Sequence, residues 1–165
     1  MEVTNNDTVL QTEYARTDAL GFLKRNKTGV LATISEGNMP HASLVNYTAD
    51  DDFNIYILMQ TNSRKYAALS AHPEVAFTVA RIDVPQTLQV EGMAMDISLD
   101  DVASKRKEEL FEVLNANPWF YPPMSKLDPA TSAIIWIRPT WIRWADYAFA
   151  EEGTERVFKE IPINL

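Results

Sequence analysis

Ser63, Arg64 and Lys65 are the residues whose order points most directly to chemistry. They follow the break Gln60-Thr61-Asn62 and open a short helical pattern, Arg64 to Ala71. His72-Pro73 stops that pattern, because the residue before a proline avoids the helical region. Ser63 is a good N-cap. Arg64 and Lys65 then occupy the first two helical positions, where each cation opposes the partial positive charge of the helix start at a cost of about 0.3–1 kcal/mol. The arrangement makes physical sense if an anion binds in front. Free N–H groups, the Ser63 hydroxyl, the guanidinium and the ammonium would then converge on a phosphate. The competing reading is that both side chains simply point into solvent.

A second set lies in Thr87-Leu88-Gln89-Val90-Glu91. In a strand, Thr87, Gln89 and Glu91 share one face, which is either solvated or offers hydrogen bonds to the edge of a heteroaromatic ring. Trp136, Trp141, Trp144 and Tyr147 would stack on a planar ligand or serve a core or interface. His41 and His72 are the only histidines, and cysteine is absent, so thiol nucleophiles and cysteine-based metal sites are excluded. No metal site is expected. Asp50-Asp51-Asp52 reads as a turn, and Ser98 with Asp100 and Asp101 as the capped start of a helix. No G-x-S-x-G, G-x-G-x-x-G or Walker pattern occurs, and no side chain stands out as a general acid or base, so no catalytic residue is assigned.

The whole chain narrows the partners. Fifteen basic against twenty-three acidic residues leave a net charge of −8, which disfavours nucleic acid and anionic membrane surfaces. The start, Met1 to Asp7, has neither the basic nor the apolar region of a signal peptide, and no apolar run approaches a membrane span. A cytoplasmic protein of 165 residues acting on small molecules is expected, as a single domain.

The elements that must position these residues follow from periodicity. Ala15, Ala19, Phe22 and Leu23 predict a helix over 12–26. Strands are predicted at 30–35, 41–48, 53–59, 75–82, 87–96, 132–138 and 140–145, with a longer helix at 99–115, a Pro- and aromatic-rich loop at 117–123, and a polar tail at 148–165. This is a mainly β chain with helical insertions: a six- to seven-stranded antiparallel barrel over about 28–147.

Taken in order, Gly29-Val30-Leu31-Ala32-Thr33, Gly37 with Pro40, His41-Ala42-Ser43-Leu44-Val45-Asn46, Thr61-Asn62-Ser63-Arg64-Lys65 with Leu69, His72-Pro73-Glu74-Val75 and Val90-Glu91-Gly92 resemble the FMN-binding split-barrel proteins related to pyridoxamine 5′-phosphate oxidase, in particular their general-stress-protein-like branch. The resemblance runs from about Phe22 to Asp96, with a weaker echo at Ile135 to Tyr147. It implies a split barrel, a homodimer with FMN at the interface, and an oxidoreductase that uses the flavin with a small-molecule substrate or electron donor. Ser63, Arg64 and Lys65 match the residues that hold the FMN phosphate, and Ser43, Leu44, Val45 and Asn46 those lining the ring and ribityl chain. Met59 matches a position near the phosphate. Thr87 matches a glutamine that reaches the flavin, with Gln89 one pair along, and Trp144 resembles a tryptophan approaching the cofactor from the partner subunit. Ser43 and Thr48 stand where the oxidase has an arginine and a lysine. Glu151-Glu152-Gly153-Thr154-Glu155 stands in place of its C-terminal Arg-Leu-His-type substrate grip. The alternatives are a flavin carrier or sensor without turnover, and a haem- or deazaflavin-binding variant of the same fold.

Overall fold

A computed structural model describes residues 5–81, 83–98, 104–115 and 129–163. Its strands are β1 (Thr28–Ile34), β2 (Pro40–Asn46), β3 (Thr48–Ala49), β4 (Ile55–Gln60), β5 (Glu74–Arg81), β6 (Gln86–Asp96), β7 (Ser132–Asp146) and β8 (Phe158–Glu160). Its helices are α1 (Asn5–Arg25), α2 (Arg64–Ala71), α3 (Ser104–Asn115) and the single turn α4 (Thr154–Val157). All strand pairs are antiparallel, in the order β2-β1-β5-β6-β7-β4-β3, with β8 added to β7.

Both ends of that order belong to one segment. β2 and β3 are separated only by Tyr47, so the chain from Pro40 to Ala49 pairs first with β1 and then with β4, and this curls the sheet on itself. Tyr47 is buried at the switch, where its N–H donates to the Lys27 carbonyl at 3.0 Å and its hydroxyl to the Leu23 carbonyl at 2.7 Å. Along β2 itself no ladder to β4 forms among the described residues, although the two strands come close. That gap is the split in the barrel.

Alternation sets the core. Leu31, Phe77, Val79, Leu88, Val90, Ile135, Ile137 and Ile142 point inward, and Ala15, Ala19, Phe22 and Leu23 of α1 pack onto them. β4 is buried on both faces: Ile55, Ile57 and Met59 join the barrel interior, while Tyr56 and Leu58 meet Leu110 and Leu114 of α3 outside it. Gly92 is required where β6 passes β7, since a Cβ there would lie 2.6 Å from the Arg138 carbonyl oxygen.

Three expectations need correction. The two strands placed at 132–138 and 140–145 are one strand, β7. A bulge puts Gly92 opposite Pro139 and Glu91 opposite Trp141, so the proline's missing N–H falls where the ladder is already interrupted. The polar tail, expected beyond the barrel, adds a strand to its sheet: Tyr147–Glu152 forms a 3-10 helix, and β8 pairs with β7. α1 begins at Asn5, well before the first periodic apolar residue. The helix start expected near Leu99, with Asp100 and Asp101, and the aromatic loop at 117–123 lie outside the described residues. Ser98 instead donates its N–H to Asp96 Oδ1 at 2.8 Å.

Candidate functional site

The α2 start forms as the sequence predicts. Ser63 takes an extended conformation (φ −82°, ψ 150°), and its Oγ accepts the Tyr66 N–H at 3.2 Å, leaving the hydroxyl hydrogen free to donate outward. The first turn contains no acidic residue. Among the described residues the Arg64 and Lys65 side chains have no hydrogen-bond or ion-pair partner, and neither do their backbone N–H groups. Lys24, Arg81 and Arg156, by contrast, each pair with a carboxylate. The Ser63 hydroxyl, the Arg64 and Lys65 N–H groups and two side-chain cations therefore stand unspent at one helix end, which fits a phosphate. Tyr66 also donates its hydroxyl to Asp96 Oδ2 at 2.7 Å, anchoring the same turn to β6.

The four β2 residues divide by face and by edge. Ser35 N–H to Met39 carbonyl (2.9 Å) and Tyr47 N–H to Lys27 carbonyl fix which β1–β2 pairs exchange hydrogen bonds: Leu31 with Ser43 and Gly29 with Val45 do, Val30 with Leu44 and Thr28 with Asn46 do not. The backbone groups of Leu44 and Asn46 hence point off the free edge toward the gap, as do those of Ala42. Leu44 projects its side chain outward and is 73% exposed, and Asn46 carries a buried Oδ1 with no hydrogen-bond partner. Ser43 is half-buried on the inner face.

Three expected site residues are not presented. Val45 is a core residue whose backbone is bonded to β1, so neither its side chain nor its peptide faces the gap. Met59 is 3% exposed in the barrel interior. Trp144 points inward, pairs with buried Leu88 and meets Phe22 edge-on at 5.0 Å, so within its own chain it is core. The residue that shares the outer face with Thr87 is Ala145.

Thr87 and Gln89 do lie on the outer face, both half-buried. One row of cross-strand neighbours runs Leu44–Val30–Thr78–Gln89–Arg143. Arg143 donates twice to Gln89 Oε1, at 2.6 and 3.0 Å, and lies over the Trp141 and Phe158 rings. Because a guanidinium only donates, this contact turns the Gln89 NH2 away from Arg143 as a free donor. Arg143 escaped the sequence reading, since its partner is 54 residues away and nothing local marks the pairing. Three strand spacings of about 4.8 Å separate Leu44 from Gln89, so one chain spreads these residues over a face instead of closing them around one point.

His41 is exposed, and His72 caps α2 at its C-terminal end by donating its N–H to the Ala68 carbonyl at 2.8 Å. Asp50 accepts from Asp52 N, Asn54 N and the Tyr56 hydroxyl, which makes the acidic cluster a turn device. Among the described residues no helix is long and apolar enough to cross a membrane.

An antiparallel barrel left open along β2 defines a split barrel, and unpaired cations stand at the start of its α2. The chain belongs to the pyridoxamine 5′-phosphate oxidase family, whose sequence model matches residues 17–144. No curated protein matches the sequence. Among solved structures, a candidate pyridoxamine 5′-phosphate oxidase from Listeria innocua is 22% identical, with a TM-score of 0.64 over 78% of this chain and 96% of that one. An F420 reductase is 25% identical, with a TM-score of 0.56 over 74% and 93%. A pyridoxamine 5′-phosphate oxidase-related, FMN-binding protein from Nostoc punctiforme is 13% identical, with a TM-score of 0.57 over the full length of both chains.

Proposed function

We propose that the protein is an FMN-dependent oxidoreductase working as a homodimer. The observation that carries this reading is the start of α2, where Ser63, Arg64 and Lys65 hold unspent donors and charge with no acid nearby. These would receive the FMN phosphate. The free β2 edge at Leu44 and Asn46 would run along the ribityl chain, whose hydroxyls supply the donor that the buried Asn46 Oδ1 lacks. Thr87 and the Gln89 NH2 lie across the outer face and would meet the ring of a cofactor held by a second chain. Val30, Ile34 and Leu44 are exposed and apolar on that same face, which favours covering it with another copy. Bound FMN would carry hydride or electrons, while the chain supplies binding, orientation and ring-edge hydrogen bonds.

The purified protein is expected to be yellow, to release FMN on denaturation, and to scatter light as a dimer. A colourless protein that takes up no added FMN would overturn the cofactor, and a monomer mass for the loaded protein would overturn the shared site. Reduction of the bound flavin by NADH or NADPH, followed by reoxidation, separates an enzyme from a carrier. The likeness to the F420 reductase favours a second reading, a deazaflavin as the redox partner. Its spectrum distinguishes it from FMN.

A further inference from the structure

α1, the end of β7 and the C-terminal segment line an open-sided cavity of about 270 Å³. Trp144 forms its floor, held by the edge of Phe22. Tyr14 and Phe149 line its sides, 72% and 42% exposed. Tyr147 and Phe158 are comparably exposed but meet each other edge-on at 5.7 Å, whereas Tyr14 and Phe149 have no ring partner among the described residues. Four charges complete the wall: Asp18 on α1, Asp146 at the end of β7, Arg156 on α4 and Lys159 on β8. Two of them are spent. Asp146 accepts from Gln86 Nε2 at 2.7 Å and from Ala148 N–H at 3.0 Å, and Arg156 pairs with Glu152 at 3.3 Å. The other two are not. Asp18 and Lys159 have no side-chain partner among the described residues, and Lys159 sits directly across from Trp144 on the same face.

An apolar hollow with one free anion on the helix wall and one free cation on the strand wall matches a ligand carrying both charges on an aromatic body. The volume is small beside the roughly 300–1,000 Å³ of most ligand pockets, so it suits one or two rings and not a nucleotide. We propose that this cavity binds an aromatic amino acid as its zwitterion. Its ring lies against Trp144 between Tyr14 and Phe149, its carboxylate toward Lys159 and its ammonium toward Asp18. The two charged residues that would hold the ligand, Asp18 and Lys159, are separate from Ser63, Arg64, Lys65, Thr87 and Gln89 of the flavin reading, while the floor, Trp144, is the tryptophan the resemblance sets near the cofactor.

The test is calorimetric titration of the full-length protein with L-phenylalanine, with phenylacetate (no ammonium) and with phenethylamine (no carboxylate). L-phenylalanine is expected to bind, and each truncated probe to bind about tenfold more weakly or worse. Lys159→Glu is expected to weaken L-phenylalanine and phenylacetate about tenfold while sparing phenethylamine, and Asp18→Lys to do the reverse. Both side chains lie at the surface of the wall, and an unchanged melting temperature verifies folding; Lys159→Gln and Asp18→Asn serve if either reversal destabilises. Absence of binding by all three probes, equal binding of all three, or charge variants that leave the affinities unmoved would overturn the proposal. FMN uptake by the same variants is expected to stay at the parent level, which keeps failure of this site distinct from failure of the flavin site.

Discussion

Tyr66 holds Asp96 through a 2.7 Å hydrogen bond, and the same residue's N–H caps onto Ser63 at 3.2 Å. One side chain thus ties the first turn of α2 to the last residue of β6, while its backbone shapes the serine that opens the helix. The cations of that turn are placed by packing, not by an ion pair.

Tyr66→Phe keeps the ring, which packs against the core, and removes only the tether. A hydrogen bond to a carboxylate is worth about 1.5–3 kcal/mol when well shielded and less at this half-buried position. A loss of about 1 kcal/mol in urea unfolding is expected, together with a severalfold weaker FMN affinity in a flavin-fluorescence titration. If stability falls and affinity does not, the tether serves the fold alone.

Arg64→Glu with Lys65→Glu moves stability and affinity in opposite directions. Replacing two cations by two anions at a helix start removes an unfavourable dipole contact and adds a favourable one, each worth about 0.3–1 kcal/mol. The apo protein is therefore expected to melt at or above the parent temperature, while FMN uptake is lost. Parent-like FMN affinity in the double variant would move the phosphate elsewhere.

The sequence showed the α2 start because capping is local: Ser63, two cations and Pro73 lie within eleven residues. β2 was legible as a strand, yet which of Ser43, Leu44, Val45 and Asn46 faces the gap depends on hydrogen-bond phase with β1, which the turn at Glu36–Met39 sets. Which of Trp144 and Ala145 points inward depends on phase in the same way. A one-residue change of phase sends a side chain to the other face, and Trp144 and Ala145 are neighbours that differ by that step. Pro139 looked like a strand end because a proline breaks a regular ladder. The bulge opposite it at Gly92 depends on a strand more than forty residues away.

The tyrosines set an alkaline limit. Burial raises the Tyr47 hydroxyl well above its ordinary value of 10.0, and the bond to Asp96, then burial, raises Tyr66 as well. A folded-state value above the unfolded one means the stabilisation is complete below about pH 10 and is lost as pH rises past it. Melting temperature is expected to be flat through neutral pH in this respect and to fall above about pH 10. Tyr47→Phe should melt lower at neutral pH, because the Leu23 carbonyl loses its donor, and should show a shallower alkaline decline. An alkaline limb as steep as the parent's would assign the effect to other groups.

Gly29 faces the Phe77 ring so closely that a Cβ would lie 2.3 Å from Cζ. Phe77 is fully buried and meets Tyr47 edge-on at 5.0 Å, so it has no room to withdraw. Gly29→Ala is expected to destabilise by about 1–3 kcal/mol, the usual range for an overpacked core. Adding Phe77→Leu should restore part of that loss, because the two substitutions act on one contact and are not additive. Thermal unfolding of the two single variants and the double reads the coupling, and strict additivity would show that the ring is not what excludes a side chain at position 29.

Leu44 and Gln89 stand in one row of the outer face, joined through Val30 and Thr78. In a single chain Leu44 buries little, so Leu44→Glu should leave monomer stability within about 0.5 kcal/mol. If the outer face is where two copies meet, the same substitution places two like charges near a two-fold axis in an apolar setting, and burying such unpaired charges is strongly unfavourable. The variant is then expected to elute as a monomer. It should also bind FMN far more weakly than the parent, because the ring-facing donors Thr87 and Gln89 would no longer be delivered by a second chain. Val30→Thr, which keeps shape and adds no charge, should weaken the dimer only slightly. A Leu44→Glu protein that stays dimeric and yellow would place the contact between copies on another surface, and would require one chain to bring Leu44 and Gln89 to the same cofactor across the three strand spacings that separate β2 from β6.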